Sequence, residues 1–120
     1  MERPSFERLV RQALEELPGE IRLRMDNVDV VLEELPTPDQ LVGSGLNDDE
    51  CLLGLYEGIP LPDRYGYDLV LPDKITLFQR SIESICTSDQ EILTEIRDTV
   101  VHEVAHHFGI GDEELGRMGV

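Results

Sequence analysis

The sequence predicts a small α+β fold, with helices at both ends of the chain and short strands between them. Apolar residues recur at helical spacing near the N-terminus and again before the C-terminus, whereas short β-branched or alternating segments fill the middle. The chain has 120 residues, a length that predicts one domain over residues 1–120 with a single modest hydrophobic core.

A first helix is predicted from Ser5 to Leu17. Serine is a favourable N-cap residue, so Ser5 is expected to begin the helix, and Pro18-Gly19 is expected to end it. The apolar side chains of this segment fall on one stripe, which predicts that the helix packs on the core with that face. The stripe consists of Phe6, Leu9, Val10, Ala13, Leu14 and Leu17.

The middle of the chain is predicted to alternate between short strands and loops. The expected order is a strand at 28–34, a long acidic loop at 35–50, a buried strand at 51–56, a loop at 57–66 and extended segments at 68–71 and 74–85. In the last of these, polar and apolar side chains alternate around KITLF. That pattern is typical of an edge strand, or of a strand whose polar side faces a cleft.

The longest helix is predicted from about Asp89 to His107 or Phe108. Ser88 and Glu91 have the S-x-x-E spacing of a capping box just before an apolar periodic run. The apolar positions that follow at helical spacing are Ile92, Leu93, Ile96, Val100, Val104 and Phe108.

This helix carries the run HEVAHHFGIGD, which contains all three histidines of the chain. At 100° per residue, His106 lies about 40° around the helix from His102 and Glu103 about 100°, while Val100 and Val104 lie at roughly 160–200°. Two imidazoles at i and i+4 on one face, away from the apolar stripe, can bind one zinc ion. Glu103 is placed to act as a general base on a zinc-activated water, so the run predicts a zinc-dependent hydrolase.

A third zinc ligand is predicted just beyond this helix. Catalytic zinc sites commonly use three protein ligands and leave the fourth position to water. Gly109 can end the helix and permits a sharp turn, and Asp112 follows at the reach expected of a ligand. Glu113 and Glu114 are the alternatives. Residues 112–118 are expected to form one or two further helical turns, for which Asp112 as an N-cap is the competing role.

The other candidate polar groups are less specific. His107 falls at about 140°, towards the core side of the helix, which favours a packed or hydrogen-bonded role over metal binding. A donor to a tetrahedral oxyanion would assist hydrolysis. Tyr56, Arg64, Tyr65 and Tyr67 are candidates for it, although a structural or surface role is the stronger expectation for each.

The charge distribution bears on possible partners. The net charge is −16, and residues 1–24 carry five acidic and five basic side chains, so all of the acidic excess lies in residues 25–120. This disfavours nucleic acid and anionic membranes, because binding phosphate requires clustered cations. An acidic surface suits cationic peptides, and solubility alone is the simpler explanation.

The expected compartment is the cytoplasm. The N-terminal sequence MERPSFERLV lacks the apolar core of a secretion signal, and the chain contains no apolar stretch long enough to span a bilayer. Cys51 and Cys86 lie in apolar, strand-like segments and are predicted to be buried reduced thiols. A disulfide between them is the alternative, which requires that their strands are neighbours.

Three segments resemble the small bacterial zincin-like metallopeptidases known as minimal zincins. They are LLGLYEGIPL at 52–61, LPDKITLFQRSIE at 71–83 and TVVHEVAHHFGIGDEEL at 99–115. The resemblance implies a small mixed β-sheet packed on a backing helix and a zinc-binding active-site helix. It also implies zinc on His102, His106 and Asp112, with Glu103 as general base.

In zincins, an edge strand beside the active-site helix binds the substrate in an extended form, and this role is assigned here to Ile75, Thr76, Leu77 and Phe78. Larger zincins also have a distant Met-turn. Met118 lies too close to the metal motif for that assignment. The chain leaves no room for a lower subdomain, so the cleft is expected to be open and shallow.

The leading hypothesis is therefore a zinc metallopeptidase that acts on a peptide or protein substrate. The alternative is a zinc-containing module that binds a peptide without turnover, and a third is an acidic interaction protein. The intact Glu103 favours the enzyme, because a structural zinc site has no need of a base at that position.

Overall fold

A long helix packed on a three-stranded sheet organises this protein. The computed structural model describes residues 1–44, 52–58 and 72–117. The elements in chain order are α1 (Arg3–Glu15), α2 (Gly19–Arg24), β1 (Val28–Glu33), α3 (Pro38–Ser44), β2 (Gly54–Glu57), β3 (Asp73–Phe78), α4 (Gln79–Ser84), α5 (Asp89–Phe108) and α6 (Asp112–Arg117). The predicted α+β class is confirmed. No helix in these ranges is long and apolar enough to cross a membrane.

The sheet has the strand order β1-β3-β2. β1 runs parallel to β3 with Val30 opposite Ile75, and β2 runs antiparallel to β3 with Tyr56 opposite Ile75. The sheet is therefore mixed, as the family resemblance implied. Side chains of adjacent strands that lie opposite each other share a face. Ile75 and Leu77 belong to the hydrophobic core, which identifies the face that packs on the helices.

The prediction that Ile75, Thr76, Leu77 and Phe78 form a substrate-binding edge strand is wrong. They lie in β3, the central strand, and all four side chains are 0% exposed. The backbone N–H and C=O groups of β3 are used by neighbours on both sides, so no peptide can add to it. The alternation around KITLF was misleading because Thr76 is a polar residue buried within the sheet.

The second half of the predicted 74–85 strand is also wrong, because the chain turns into α4 after Phe78. Tertiary contacts hold this turn. The Gln79 side-chain amide donates to the Met1 carbonyl at 3.0 Å, and the Arg80 N–H donates to the Glu34 carbonyl at 3.0 Å. Both partners are distant in sequence, so local patterning does not reveal the change from strand to helix.

The first helix begins two residues earlier than predicted, and Ser5 is not its cap. Glu2 occupies the N-cap position, and its carbonyl accepts from the N–H groups of Ser5 and Phe6, both at 3.1 Å. Pro4 lies in the first turn, where proline is pre-organised for a helix and its missing N–H costs no intrahelical bond. The helix buries Phe6, Val10 and Ala13, which belong to the predicted stripe.

Besides α4, two short helices were not predicted. α2 begins directly after Pro18 and buries Ile21. α3 lies inside the predicted acidic loop, and it is preceded by a reciprocal cap. The Gln40 N–H donates to Thr37 Oγ1 at 3.1 Å, and the Thr37 N–H donates to Gln40 Oε1 at 2.8 Å. The T-x-x-Q spacing was therefore an available sequence signal for α3.

The prediction for α5 is confirmed at both ends. Ser88 Oγ accepts from the Glu91 N–H at 3.1 Å, and Gly109 follows the helix in a left-handed conformation with φ of 69°. The Ile110 N–H then donates back to the Ala105 carbonyl at 2.8 Å, which satisfies one of the carbonyls left open at the helix end. The buried face is broader than the predicted stripe, since Val101 and Ala105 are 2% exposed.

Cys86 differs from its predicted setting. It follows α4 rather than lying in a strand, and it is a half-buried free thiol. Burial, followed by repulsion from the Glu95 and Glu91 carboxylates, raises the pKa of the Cys86 thiol. Cys51 lies outside the described residues.

Candidate metal and catalytic site

The outer edge of β2 lies beside α5. The Leu53 carbonyl accepts from the Phe78 N–H at 3.0 Å, so the backbone groups of residue 53 face β3. These directions alternate along a strand, so Gly54 and Tyr56 point their backbone groups away from β3. Strand and helix approach closely here, because a Cβ added at Gly54 would lie 2.6 Å from Thr99 Cγ2 on α5.

Glu103 reaches this edge from α5. The Tyr56 N–H donates to Glu103 Oε1 at 3.0 Å, and the Glu103 side chain is half-buried. Glu103 borders two clefts. One has a volume of about 430 Å³ and is also lined by Tyr56 and His106. The other, of about 290 Å³, is also lined by Gly54 and His102. Glu103 therefore lines both clefts, each of which also contains one of the two histidines, and its carboxylate contacts the outer edge of β2.

His102 and His106 are both exposed on α5, whereas Val100 and Val104 on the same helix are fully buried. The predicted separation of the histidines from the core face is confirmed. Side chains one turn apart on a helix have Cβ atoms about 5–6 Å apart. Side chains whose Cβ atoms are this close can turn two imidazole rings towards one zinc ion, and imidazole nitrogen is a donor that suits zinc.

The third predicted ligand, Asp112, begins α6. Its side chain lies outside the described residues, so its role as a ligand stays a prediction. The Gly111 carbonyl accepts from the Leu115 N–H at 3.0 Å, which places Gly111 rather than Asp112 in the N-cap position. Glu113 and Glu114 are exposed on α6. Among the side chains that are described, no three or more His, Cys, Asp or Glu come together as a metal site.

Tyr56 connects three parts of the site. Its hydroxyl donates to Asp73 Oδ2 at 2.6 Å, and its ring stacks on His107 with centroids 4.0 Å apart and planes 20° apart. Burial, with additional contributions from the hydrogen bond to Asp73 and from its charge, raises the pKa of the Tyr56 hydroxyl well above its usual range. The hydroxyl therefore stays a donor to Asp73.

Two of the sequence-based expectations, for His107 and for the Tyr56 hydroxyl, can be compared with this arrangement. His107 packs on Tyr56, as a packed role predicted, but it is exposed rather than turned to the core, and its Nε2 lies 3.9 Å from Asp73 Oδ2. The Tyr56 hydroxyl donates to Asp73, which agrees with the structural role that was the stronger expectation for this residue. Arg64, Tyr65 and Tyr67 lie outside the described residues.

Sequence reasoning missed Asp73 entirely and also missed the role of the Tyr56 backbone. The available signal was the alternation of Gly54 and Tyr56 on one side of β2. If β2 is known to lie next to α5, the alternation predicts that Gly54 and Tyr56 face the helix in the same way.

The chain matches a known metallopeptidase family. The sequence profile of the zincin-like metallopeptidases matches residues 25–120, which is most of the chain, so the protein belongs to that family. A solved structure of a conserved hypothetical protein from Thermo thermophilus is similar over nearly the full length. The two are 26% identical, the match covers 97% of this chain and 99% of the other, and the TM-score is 0.61. A search of curated proteins found no match.

Proposed function

We propose that this protein is a zinc-dependent metallopeptidase that hydrolyses peptide bonds. His102, His106 and Asp112 would hold the zinc ion, and Glu103 would act as general base. The observation that carries the proposal is the position of Glu103. Its carboxylate accepts from the backbone N–H of Tyr56 on β2, and Glu103 lines two clefts, one shared with His106 and the other with His102.

Bound zinc supplies Lewis acidity, which activates a water molecule and polarises the substrate carbonyl. The Glu103 carboxylate takes the proton of the attacking water, while the water oxygen forms a bond to the carbonyl carbon. As the C–N bond breaks, Glu103 gives that proton to the leaving amine. The carboxylate is half-buried and is held by a backbone N–H, so it is aimed before the substrate arrives.

The substrate-binding strand in this proposal is β2 rather than β3. The Tyr56 N–H is engaged by Glu103, so the outward groups offered to a peptide are the N–H and C=O of Gly54 and the C=O of Tyr56, beside the clefts that Glu103 lines. An extended peptide can add to such an edge through backbone hydrogen bonds, which are largely independent of sequence. This geometry supports a peptide or protein substrate.

The test is cleavage of a diverse peptide library by zinc-loaded protein. Glu103→Ala is the active-site variant. Glu20→Ala, which removes an exposed carboxylate on α2, is the matched control. We expect cuts with the parent protein and with Glu20→Ala, and a loss of at least about a hundredfold with Glu103→Ala, the range for removing a general base. Cleavage that survives Glu103→Ala would contradict the mechanism.

The alternative, a zinc-containing module that binds a peptide without turnover, draws support from the same strand edge. It predicts that peptides are retained by zinc-loaded protein but are released uncut. Equilibrium binding on the same library shows which peptides are retained. Only the peptidase also generates new termini in those peptides, and this separates the two functions.

A further inference from the structure

We infer that Tyr56 is a positioning residue for Glu103: its backbone N–H holds the carboxylate, and its side chain, fixed by Asp73 and His107, holds that N–H in place. This inference rests on the proposed function for its catalytic meaning. The contact itself joins two groups of the protein, so it can be tested without metal or substrate.

The first step is the unusual use of the Tyr56 N–H. It points away from β3, on the side of β2 where an edge-strand amide commonly faces solvent or a bound peptide. Here it donates to Glu103 Oε1 at 3.0 Å. A hydrogen bond to a carboxylate is stronger than one between neutral groups, so the bond restricts the orientation of the Glu103 side chain.

The second step is the anchoring of the Tyr56 side chain. Its hydroxyl donates to Asp73, the first residue of β3, and its ring stacks on His107, near the end of α5. Phe108 adds edge-on contacts, with ring centroids 6.2 Å from Tyr56 and 4.9 Å from His107. Tyr56 is therefore fixed both to β3 and to α5, the helix that carries Glu103.

The third step concerns the ends of this network. The Arg24 guanidinium lies 5.5 Å from the centroid of the Phe108 ring, so the end of α2 also restrains the last turn of α5. His107 directly follows the proposed ligand His106, and Glu103 lies one turn earlier. A single stacked pair thus sets the spacing between the strand edge, the base and the histidine-bearing turn.

Amide hydrogen exchange, measured residue by residue by NMR on the metal-free protein, tests the contact. The Tyr56 amide should be protected in the parent protein and should lose about tenfold of that protection in Glu103→Ala. Glu103→Gln keeps a carbonyl acceptor at the same reach, so it should retain most of the protection. The Leu55 amide faces β3 and serves as the internal control, with an unchanged rate in both variants.

Tyr56→Phe tests the anchoring, because it keeps the stacked ring and removes the hydroxyl that donates to Asp73. We expect the amide of residue 56 to exchange a few-fold faster while the Leu55 amide is unchanged. With zinc and a cleavable peptide, kcat should fall several-fold, whereas KM and zinc affinity should stay within about twofold. A general loss of structure would instead accelerate exchange at both amides.

Equal exchange of the Tyr56 amide in the parent protein and in Glu103→Ala would overturn the inference. So would a Tyr56→Phe variant whose kcat and exchange rates match those of the parent. If the parent protein cleaves nothing, the proposed function fails, but the exchange measurements still decide whether Tyr56 holds Glu103. The two failures are therefore distinguishable.

Discussion

The close approach of β2 to α5 makes Gly54→Ala a sharp test of the packing that builds the cleft. A Cβ added at Gly54 would lie 2.6 Å from Thr99 Cγ2 and 3.2 Å from the Thr76 carbonyl oxygen. Carbon atoms in ordinary contact are about 3.5–4.0 Å apart, so the first distance is about 1 Å too short. Thr99 is 8% exposed and has little room to withdraw.

The expected cost follows from this overlap. Overpacking a filled core costs about 1–3 kcal/mol. Replacing glycine also lowers the conformational entropy of the unfolded chain, which offsets about 0.5–1 kcal/mol of that destabilisation. We therefore expect the free energy of unfolding to fall by about 1–2 kcal/mol. For a small protein, this corresponds to a decrease of roughly 1 M in the urea midpoint.

Urea unfolding of the metal-free protein, followed by circular dichroism, measures the change. Thr99→Ser removes only Cγ2, so Gly54→Ala combined with Thr99→Ser should recover about 1 kcal/mol relative to the sum of the single variants. Gly19→Ala is the matched control, because a Cβ there has nothing within 4 Å. The packing argument is refuted if Gly54→Ala is as stable as the parent, or if Thr99→Ser gives no recovery.

Further predictions concern the ends of α5 and the metal. Gly109→Ala forces an L side chain into φ of 69° and should lower the free energy of unfolding by about 1 kcal/mol, measured by urea titration. Ser88→Ala removes the side-chain acceptor for the Glu91 N–H and should cost about 1 kcal/mol in the same assay. Hydrogen bonds from Thr87 lower the pKa of the Glu91 carboxyl, so its stabilising effect should be present near neutral pH and be lost as the pH falls through that lowered value. Melting temperatures of the parent and Glu91→Gln should thus converge on acidification, and a constant difference would contradict this. Chelation of zinc should lower Tm at fixed pH, because a metal bound only by the folded state stabilises it, and an unchanged Tm would argue against tight binding.

The features that the sequence predicted correctly are local ones. The spacing of His102, Glu103 and His106 is a property of a few helical turns. Ser88 and Gly109 mark the two ends of that helix through contacts within a few residues. Such interactions form wherever the helix forms, so the pattern alone was sufficient to place the histidines on its exposed side.

The arrangement of the strands required the tertiary structure. Whether a strand is central or at an edge depends on partners distant in sequence, and β3 pairs with both β1 and β2, which lie well before it in the chain. The run from Ile75 to Phe78 is buried on both faces, and only the position of its neighbours shows that Thr76 faces the protein interior. In the described sheet, β1 and β2 are therefore the edge strands and β3 is central.

The immediate surroundings of Glu103 were decided in the same way. The sequence by itself identified the carboxylate and the two histidines, because helical periodicity fixes their relative directions. Only the folded chain brings the Tyr56 N–H to Glu103, across 47 positions of sequence, and Asp73 to the Tyr56 hydroxyl, across 17. Every residue except proline carries the same backbone N–H, so the sequence does not show which N–H enters a site. Here the packing of β2 against α5 determines it.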